Sequence, residues 1–285
     1  MKNVLVVYKK SVYELYSASP DKALQEFMTN GSEDVQRMKR SHDAQQRSLE
    51  VIVQKLEHAG AHYEKIYRAE LSAEKTAGRE LVISVGGDGT FLEVSHYVND
   101  TPILGVNSDP NASVGFYCVA NVANLGSMIA NFDSLPKTEL NRMQLTLDGK
   151  IVQELVLNDI LIAHINPAAM TRYTITAAME TTEVKSSGLL VCTASGSTAW
   201  MYQEGGAVMP LSSKELQYFS RGVRGEKFRF ASELRVDSKT RQGKLYIDGA
   251  HLTCDFTLGS SVDIKAGSPL TVIGDLQVKR VAYAA

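Results

Sequence analysis

The sequence predicts two parts: an α/β N-terminal domain with a Rossmann-like parallel sheet, then an all-β, sandwich-like C-terminal domain. Three observations carry this prediction. Apolar runs alternate with helix-period segments up to about residue 125. After about residue 140 come short β-type runs separated by turn residues, with little helical periodicity. Between two of the early segments stands "LVISVGGDGTFLEV", Leu81 to Val94, a buried-strand pattern that runs straight into glycines. Open α/β sheets bind ligands at that carboxyl edge.

The elements follow in order. Asn3 to Tyr8 reads as a buried strand. Residues 9–31, punctuated by Pro20 and Gly31, read as a mobile loop or short helix. Ser32 to His58 reads as a long amphipathic helix. Glu33 and Asp34 suit its N-terminus, Leu49, Ile52, Val53 and Leu56 recur at helical spacing, and Gly60 stops it. His62 to Tyr67 and Leu81 to Val85 are strands. Phe91, Val94 and Val98 mark another helix face, and Ile103 to Val106 a fourth strand. In the second half "KIVQELVLNDILIAHI", "RYTITAAM", "GLLVCTAS", "SELRVDS", "GKLYIDG", "CDFTLGSSVDIKAG" and "PLTVIG" read as strands. The expected division is 1–125 for the α/β domain and 126–271 for the β-rich domain. The linker lies within 121–142, and the tail 272–285 is a candidate to return to the first domain. No internal repeat or low-complexity tract is visible.

Composition narrows the function. At 44% hydrophobic and 22% charged residues the chain suits a soluble globular protein. A formal net charge of -2 predicts no nucleic-acid partner and no acidic-membrane partner. The basic stretch "RGVRGEKFRF" reads as solvated surface. Cys118, Cys192 and Cys254 are far apart and odd in number, so neither a disulfide framework nor a zinc spacing is expected. The N-terminus lacks a signal-peptide or transit-peptide pattern and no apolar run is long enough to span a bilayer, so the expected location is cytoplasmic. The six histidines form no metal-ligand spacing.

The turn Gly86–Thr90 carries the chemistry. Glycine lets backbone approach a ligand, and a helix N-terminus faces the same spot, so the turn is a phosphate cradle. It is neither a Walker loop nor a Gly-x-Gly-x-x-Gly fingerprint. With glycine near 7% of residues, three glycines with a fixed Asp and Thr arise on the order of once per million positions. A carboxylate repels phosphate, so Asp88 needs a reason. It can act as general base on a hydroxyl that attacks phosphorus, or it can orient Mg²⁺. The plain alternative is a turn aspartate bonding its own backbone.

"GGDGT" after a strand resembles the superfamily of NAD kinases and diacylglycerol or sphingosine-type lipid kinases, with phosphofructokinases more distant. The lipid kinases' Gly-Thr-Gly-Asn-Asp segment is missing. Instead "ILGVNSDPNASVGFY" is similar to the Gly-hydrophobic-Asn segment of NAD kinases, above all the branch with mitochondrial NAD kinase and plant NADH kinase. "LNDILI" resembles that family's "LNE" motif, with Asp159 for Glu. "SSGLLVCTASGSTAW" resembles its "DGL..STPTGSTAY" loop, with Ser187 for Asp and Trp200 for Tyr. "YIDGAH" resembles its "DGQ" turn, with Ala250 for Gln.

The resemblance implies phosphoryl transfer from ATP, or from polyphosphate, to the adenosine-ribose 2′-hydroxyl of NAD(H). NAD is then a substrate, and Mg²⁺ comes with ATP rather than from a protein metal site. Asp88 is the implied catalytic base. Gly87 and Gly89 let phosphates approach, and Thr90 either caps the helix or bonds phosphate. Asn107 and Asp109 frame the site. Asn158 and Asp159 contact the nucleotide. Thr193, Ser197, Thr198, Ala199 and Trp200 surround a purine and its ribose, with Ser187 upstream. Arg172 stands near where relatives contact NAD. Asp248 either joins the site or simply makes an Asp-Gly hairpin turn with Gly249. The resemblance also implies a homodimer or homotetramer. The competing readings are a lipid or small-alcohol kinase of the same superfamily and an inactive nucleotide-binding homologue.

Overall fold

The computed structural model describes residues 3–284. The chain clusters into two compact units. The first reaches Thr138 and adds Thr271–Lys279, and the second spans Glu139–Leu270 and takes in Arg280. The first unit therefore runs on beyond residue 125, because Leu125 and Ile129 are buried in its core. The tail is divided between the units rather than belonging to the first alone, and Ala285 lies outside the described residues.

The first unit contains, in order, β1 (Val4–Tyr8), α1 (Val12–Ser17), α2 (Lys22–Thr29), α3 (Glu33–His58), β2 (Tyr63–Tyr67), α4 (Ala73–Thr76), β3 (Leu81–Gly86), α5 (Asp88–Ser95), β4 (Ile103–Asn107), α6 (Leu125–Ala130) and β5 (Lys137–Leu140). The segment expected to be loop or short helix forms the two helices α1 and α2. Ser11 and Asp21 cap them by accepting the Glu14 and Ala23 N–H groups. Ser32 caps α3, with Glu33 and Asp34 in its first turn. Its buried Leu49, Ile52 and Leu56 pack with Val4, Val6, Leu81, Ile83 and Val85 in one apolar core.

The second unit contains β6 (Met143–Leu147), β7 (Lys150–Ile151), β8 (Asp159–His164), β9 (Thr171–Ala177), β10 (Glu180–Ser186), β11 (Gly188–Cys192), α7 (Trp200–Gln203), β12 (Leu216–Arg221), β13 (Arg229–Ala231), β14 (Glu233–Ser238), β15 (Gly243–Ile247), β16 (Leu252–Asp255) and β17 (Ser261–Ala266). The chain closes with β18 (Leu270–Ile273) and α8 (Gln277–Ala284).

The first sheet has the order β2-β1-β3-β4-β18-β5, and β2, β1, β3, β4 and β18 pair in parallel. The chain winds one way from β1 to β2 and the other way from β1 to β3. That reversal places a crevice at the carboxyl ends of β1 and β3. The other two sheets, β10-β9-β14-β17-β6-β7 and β13-β12-β11-β8-β15-β16, are antiparallel. Their inward residues share one core that includes Leu145, Tyr173, Val236 and Ile264 from one sheet and Ile160, Val191, Tyr218 and Leu245 from the other. Alternation of buried and exposed residues along β14 and β15 is what a half-buried strand requires. Among the described residues no helix is long and apolar enough to cross a membrane.

Ile52 is fully buried against the first sheet. Ile52→Ala is expected to lower stability by about 2–5 kcal/mol, since the cavity it leaves cannot fully collapse. Thermal unfolding checks this, and an unchanged melting profile would show that α3 does not anchor the first unit through this face.

Candidate active site

In the first unit every residue of β3 is buried, and the strand delivers its end directly to α5. Gly87 is the N-cap and its carbonyl accepts the Thr90 and Phe91 N–H groups at 3.0 and 3.2 Å. A Cβ at Gly87 would meet the Ser113 hydroxyl at 2.5 Å, so a side chain there requires Ser113 to shift. At Gly89 the space is open. The Asp88 carboxylate is half-buried, and its Oδ1 accepts the Tyr117 N–H at 2.9 Å. That bond fixes the carboxylate's orientation, and among the described residues Oδ2 has no hydrogen-bond partner. Phe91 stacks on Tyr117 at 4.9 Å between centroids and holds the same loop from the other side.

Two polar residues beside this turn have roles the sequence did not indicate. Thr90 does not cap α5: it is buried, and among the described residues its hydroxyl has no hydrogen-bond partner. Asn107 is buried and spends its amide inside the loop, donating to the Ser113 carbonyl at 2.9 Å and accepting the Asp109 N–H at 3.1 Å. It shapes the loop that carries Tyr117. Lys279 donates to the Gly115 and Cys118 carbonyls on either side of Tyr117. Burial, then the Asp88 charge, pushes the Cys118 thiol up to about 12, so Asp88 has a neutral neighbour there.

In the second unit Asp248 organises a compact cluster. Its carboxylate accepts three successive backbone N–H groups, from Leu157 at 2.8 Å, Asn158 at 2.7 Å and Asp159 at 2.9 Å. Its own N–H returns to the Asp159 carbonyl at 2.9 Å. The hairpin-turn reading is therefore incomplete, because Asp248 is also the anchor of the Asn158–Asp159 pair. A positive φ of 46° at Asp248 is part of this arrangement. The Asn158 carbonyl accepts the Thr193 N–H at 2.9 Å, and Thr193 Oγ1 donates to the Leu157 carbonyl at 2.5 Å. Gly196 packs so tightly that a Cβ would overlap the Asn158 carbonyl oxygen.

Ser197 is fully buried and serves the turn rather than open solvent. Its hydroxyl donates to the Ala194 carbonyl and accepts the Met209 N–H, each at 2.8 Å. Arg280 reaches the same place, donating to Ser197 Oγ and the Ala194 carbonyl at 2.6 Å and to the Met209 carbonyl. Thr198 Oγ1 donates to the Ser195 carbonyl at 3.3 Å, and the Ala199 N–H bonds the Gly196 carbonyl at 2.9 Å. Trp200 donates to Glu204 at 3.1 Å, and the Arg221 guanidinium lies 4.6 Å from its ring centroid. One face of the indole is thereby occupied by Arg221.

The structure gathers Asn158, Asp159, Thr193, Ser197, Thr198, Ala199, Trp200 and Asp248 within this unit, but two expected members lie elsewhere. Ser187 is exposed before β11, and Thr193 follows the far end of that strand, on the order of 20 Å away at strand rise. Arg172 is exposed on β9, in the other sheet of the sandwich. Arg280, Lys279 and Tyr117 were missed because their parts are played through backbone groups, which leave no side-chain signature in a sequence.

The Asp159 carboxyl is buried and has no hydrogen-bond partner among the described residues. Burial, and then the nearby Asp248 charge, push it up to about 7. Burial also raises Asp248, to about 6, against the pull of its three N–H donors and of buried Arg142. Because folding raises the Asp159 pKa, the stability it contributes is complete below its unfolded value near 3.9 and is lost as pH rises through about 7. Asp159→Asn is neutral at every pH. It is expected to match the parent near pH 4 and to exceed it by a few kcal/mol, at most ~4, near pH 8. Urea unfolding across that range checks this, and a pH-independent difference would contradict it.

Comparison with known proteins places this geometry. Residues 6–133 match the family model described as the ATP-NAD kinase N-terminal domain. A protein of Oryza sativa subsp. japonica called probable NADH kinase is 35% identical over 225 residues, covering 67% of this chain and 69% of the relative. The NADH kinase of Arabidopsis thaliana is 33% identical over 225 residues, covering 67% of this chain and 71% of that one. The crystal structure of an NAD kinase from Archaeoglobus fulgidus in complex with ATP superimposes with a TM-score of 0.71 at 18% identity, covering 99% of both chains. Yeast NADH kinase complexed with NADH gives 0.71 at 14% identity, over 99% of this chain and 86% of that one. At those identities the structures show the shared fold, an α/β domain joined to a β domain. With "GGDGT" at the end of a parallel strand and the Oryza relative matched over two thirds of its length, the chain belongs to the NAD kinase family, in the branch of the plant NADH kinases.

Proposed function

We propose that this chain transfers the terminal phosphoryl group of ATP to the adenosine-ribose 2′-hydroxyl of NAD(H), giving NADP(H). The observation that carries the proposal is Asp88: one carboxylate oxygen is pinned by the Tyr117 N–H and the other is open, at the carboxyl end of β3. A base so oriented accepts the hydroxyl proton as the oxygen attacks phosphorus. Thr90 and Phe91 direct their N–H groups to the Gly87 carbonyl, which leaves the N–H groups of Asp88 and Gly89 at the first turn of α5 for phosphate oxygens. The Asp159 carboxyl is suited to a ribose diol, and the Asp248 clamp sets its position.

Mg²⁺ belongs to the reading as the partner of the donor phosphates. The described residues hold no group of three or more His, Cys, Asp or Glu side chains able to bind a metal. Asp88 supplies one oxygen at most, and Mg²⁺ characteristically takes its other ligands from phosphate and water. When bound with ATP the ion neutralises charge on the transferring group. The family matches disfavour the lipid-kinase alternative. The resemblance further supports a homodimer or homotetramer, which light scattering would check; the scattered cysteines suit a cytoplasmic location, which localisation of a tagged chain would check.

Asp88→Asn keeps an oxygen for the Tyr117 N–H and removes the base. Its turnover is expected to fall about 10²–10⁴-fold with the melting temperature retained. An NADP-coupled assay crossing NAD and NADH with ATP and polyphosphate checks this and identifies both substrates. Unchanged turnover would reject the role given to Asp88, and binding of NAD without turnover by the parent chain would mark an inactive homologue.

A further inference from the structure

The first unit has a cavity of about 430 Å³ that none of the candidate site residues line. Its walls include Lys9, Ser11, Arg37, Ser41, Gln45 and Asn111. The topology explains its position. Lys9 is the first residue after β1, and Gly87 and Asp88 are the first after β3, so both stand at the crevice where the winding reverses. The turn after β4 connects them further: Asn111 and Ala112 line the cavity, while Ser113 packs onto Gly87. The cavity therefore adjoins the turn that presents Asp88.

Lys9 is the distinctive group in it. The side chain is half-buried, and among the described residues its ammonium has no ion pair and no hydrogen bond. The other lining cation, Arg37, is paired to Asp34 at 2.9 Å, and nearby Arg68 is paired to Glu93 at 2.9 Å. Burial and then the Arg68 charge lower the Lys9 pKa, while Asp109 raises it. The buried Gln45 amide donates to the Lys9 carbonyl, so α3 fixes the backbone that carries the ammonium. A partly desolvated cation without a partner costs free energy that an anion would offset. Lysine serves as a compact point charge for phosphate, and the Ser41 hydroxyl and Asn111 amide offer neutral donors beside it.

We propose that Lys9 binds the polyphosphate chain of the phosphoryl donor, in the cavity between the end of β1, α3 and the turn after β4. The proposal rests on the phosphoryl-transfer reading above and adds the donor's seat to it. The donor chain enters beside Lys9 and its terminal phosphate extends toward the Gly87–Asp88 turn. Lys9 is missing from every motif because the segment "YKKS" after a strand looks like ordinary solvated surface.

Lys9→Met keeps the apolar stem and removes the charge. Steady-state kinetics on the full chain are expected to show KM for ATP raised about 10- to 100-fold, with KM for NAD(H) unchanged. Lys9→Arg is expected to recover part of the loss. Calorimetry with inorganic tripolyphosphate reads the site without catalysis: the parent chain should bind it and Lys9→Met should bind it more weakly. An unchanged KM for ATP, equal rises in both KM values, or no tripolyphosphate binding by the parent chain would each overturn the proposal. If the parent chain makes no NADP, the functional reading fails, and the tripolyphosphate arm still decides Lys9.

Discussion

One carboxylate holding three consecutive peptide N–H groups is the constraint on which the polar cluster of the second unit depends. Asp248 leaves β15 and turns back onto the start of β8, where the Leu157, Asn158 and Asp159 N–H groups converge on it. Buried backbone donors must be satisfied, and here a side chain from a hairpin does the work of a neighbouring strand. The Leu157 and Asn158 carbonyls are directed the other way, toward Thr193 and the close-packed Gly196. The turn that follows is secured by Ser197 and Arg280 in turn. A chain of polar contacts thus runs from one hairpin to the turn that precedes α7.

The first unit reaches a comparable result by a different route. Close packing of Gly87 on Ser113 brings the loop after β4 over the glycine turn, and Tyr117 then gives Asp88 its single N–H contact. Asn107 and Lys279 stiffen that loop through carbonyls rather than by touching Asp88. Such an arrangement holds one carboxylate oxygen in place, the positioning that the proposed general base requires.

Much of this was legible in the sequence, for physical reasons. Helical and strand periodicities reflect burial, so α3 and the first four parallel strands could be read directly, with acid at Glu33 and Asp34 in the first turn of α3. The motifs also identified Asp88, Asn158, Asp159 and the Thr193–Trp200 segment as worth attention. What could not be read was long-range. Val272 pairs with Ile103 across a gap that no local pattern encodes. Ser187 and Thr193 are neighbours in a motif, yet a fully buried strand separates them. Asn107 and Ser197 look like ligand contacts by residue type, and the backbone claims them instead. Arg280 follows Lys279 in a short tail that matches no motif, and only the fold gives it three oxygen partners.

The stacking of Arg221 on Trp200 has a practical side. The chain has one tryptophan, and it sits at the start of α7, immediately after the turn that Arg280 and Ser197 fasten. Its indole N–H is tied to Glu204, which in turn pairs with Arg221 at 2.8 Å, so ring and guanidinium share one carboxylate. The long-wavelength emission of the protein therefore originates at a single ring. Any displacement of the adjoining turn disturbs the cation over it, which makes Trp200 a native optical reporter, built in without a label.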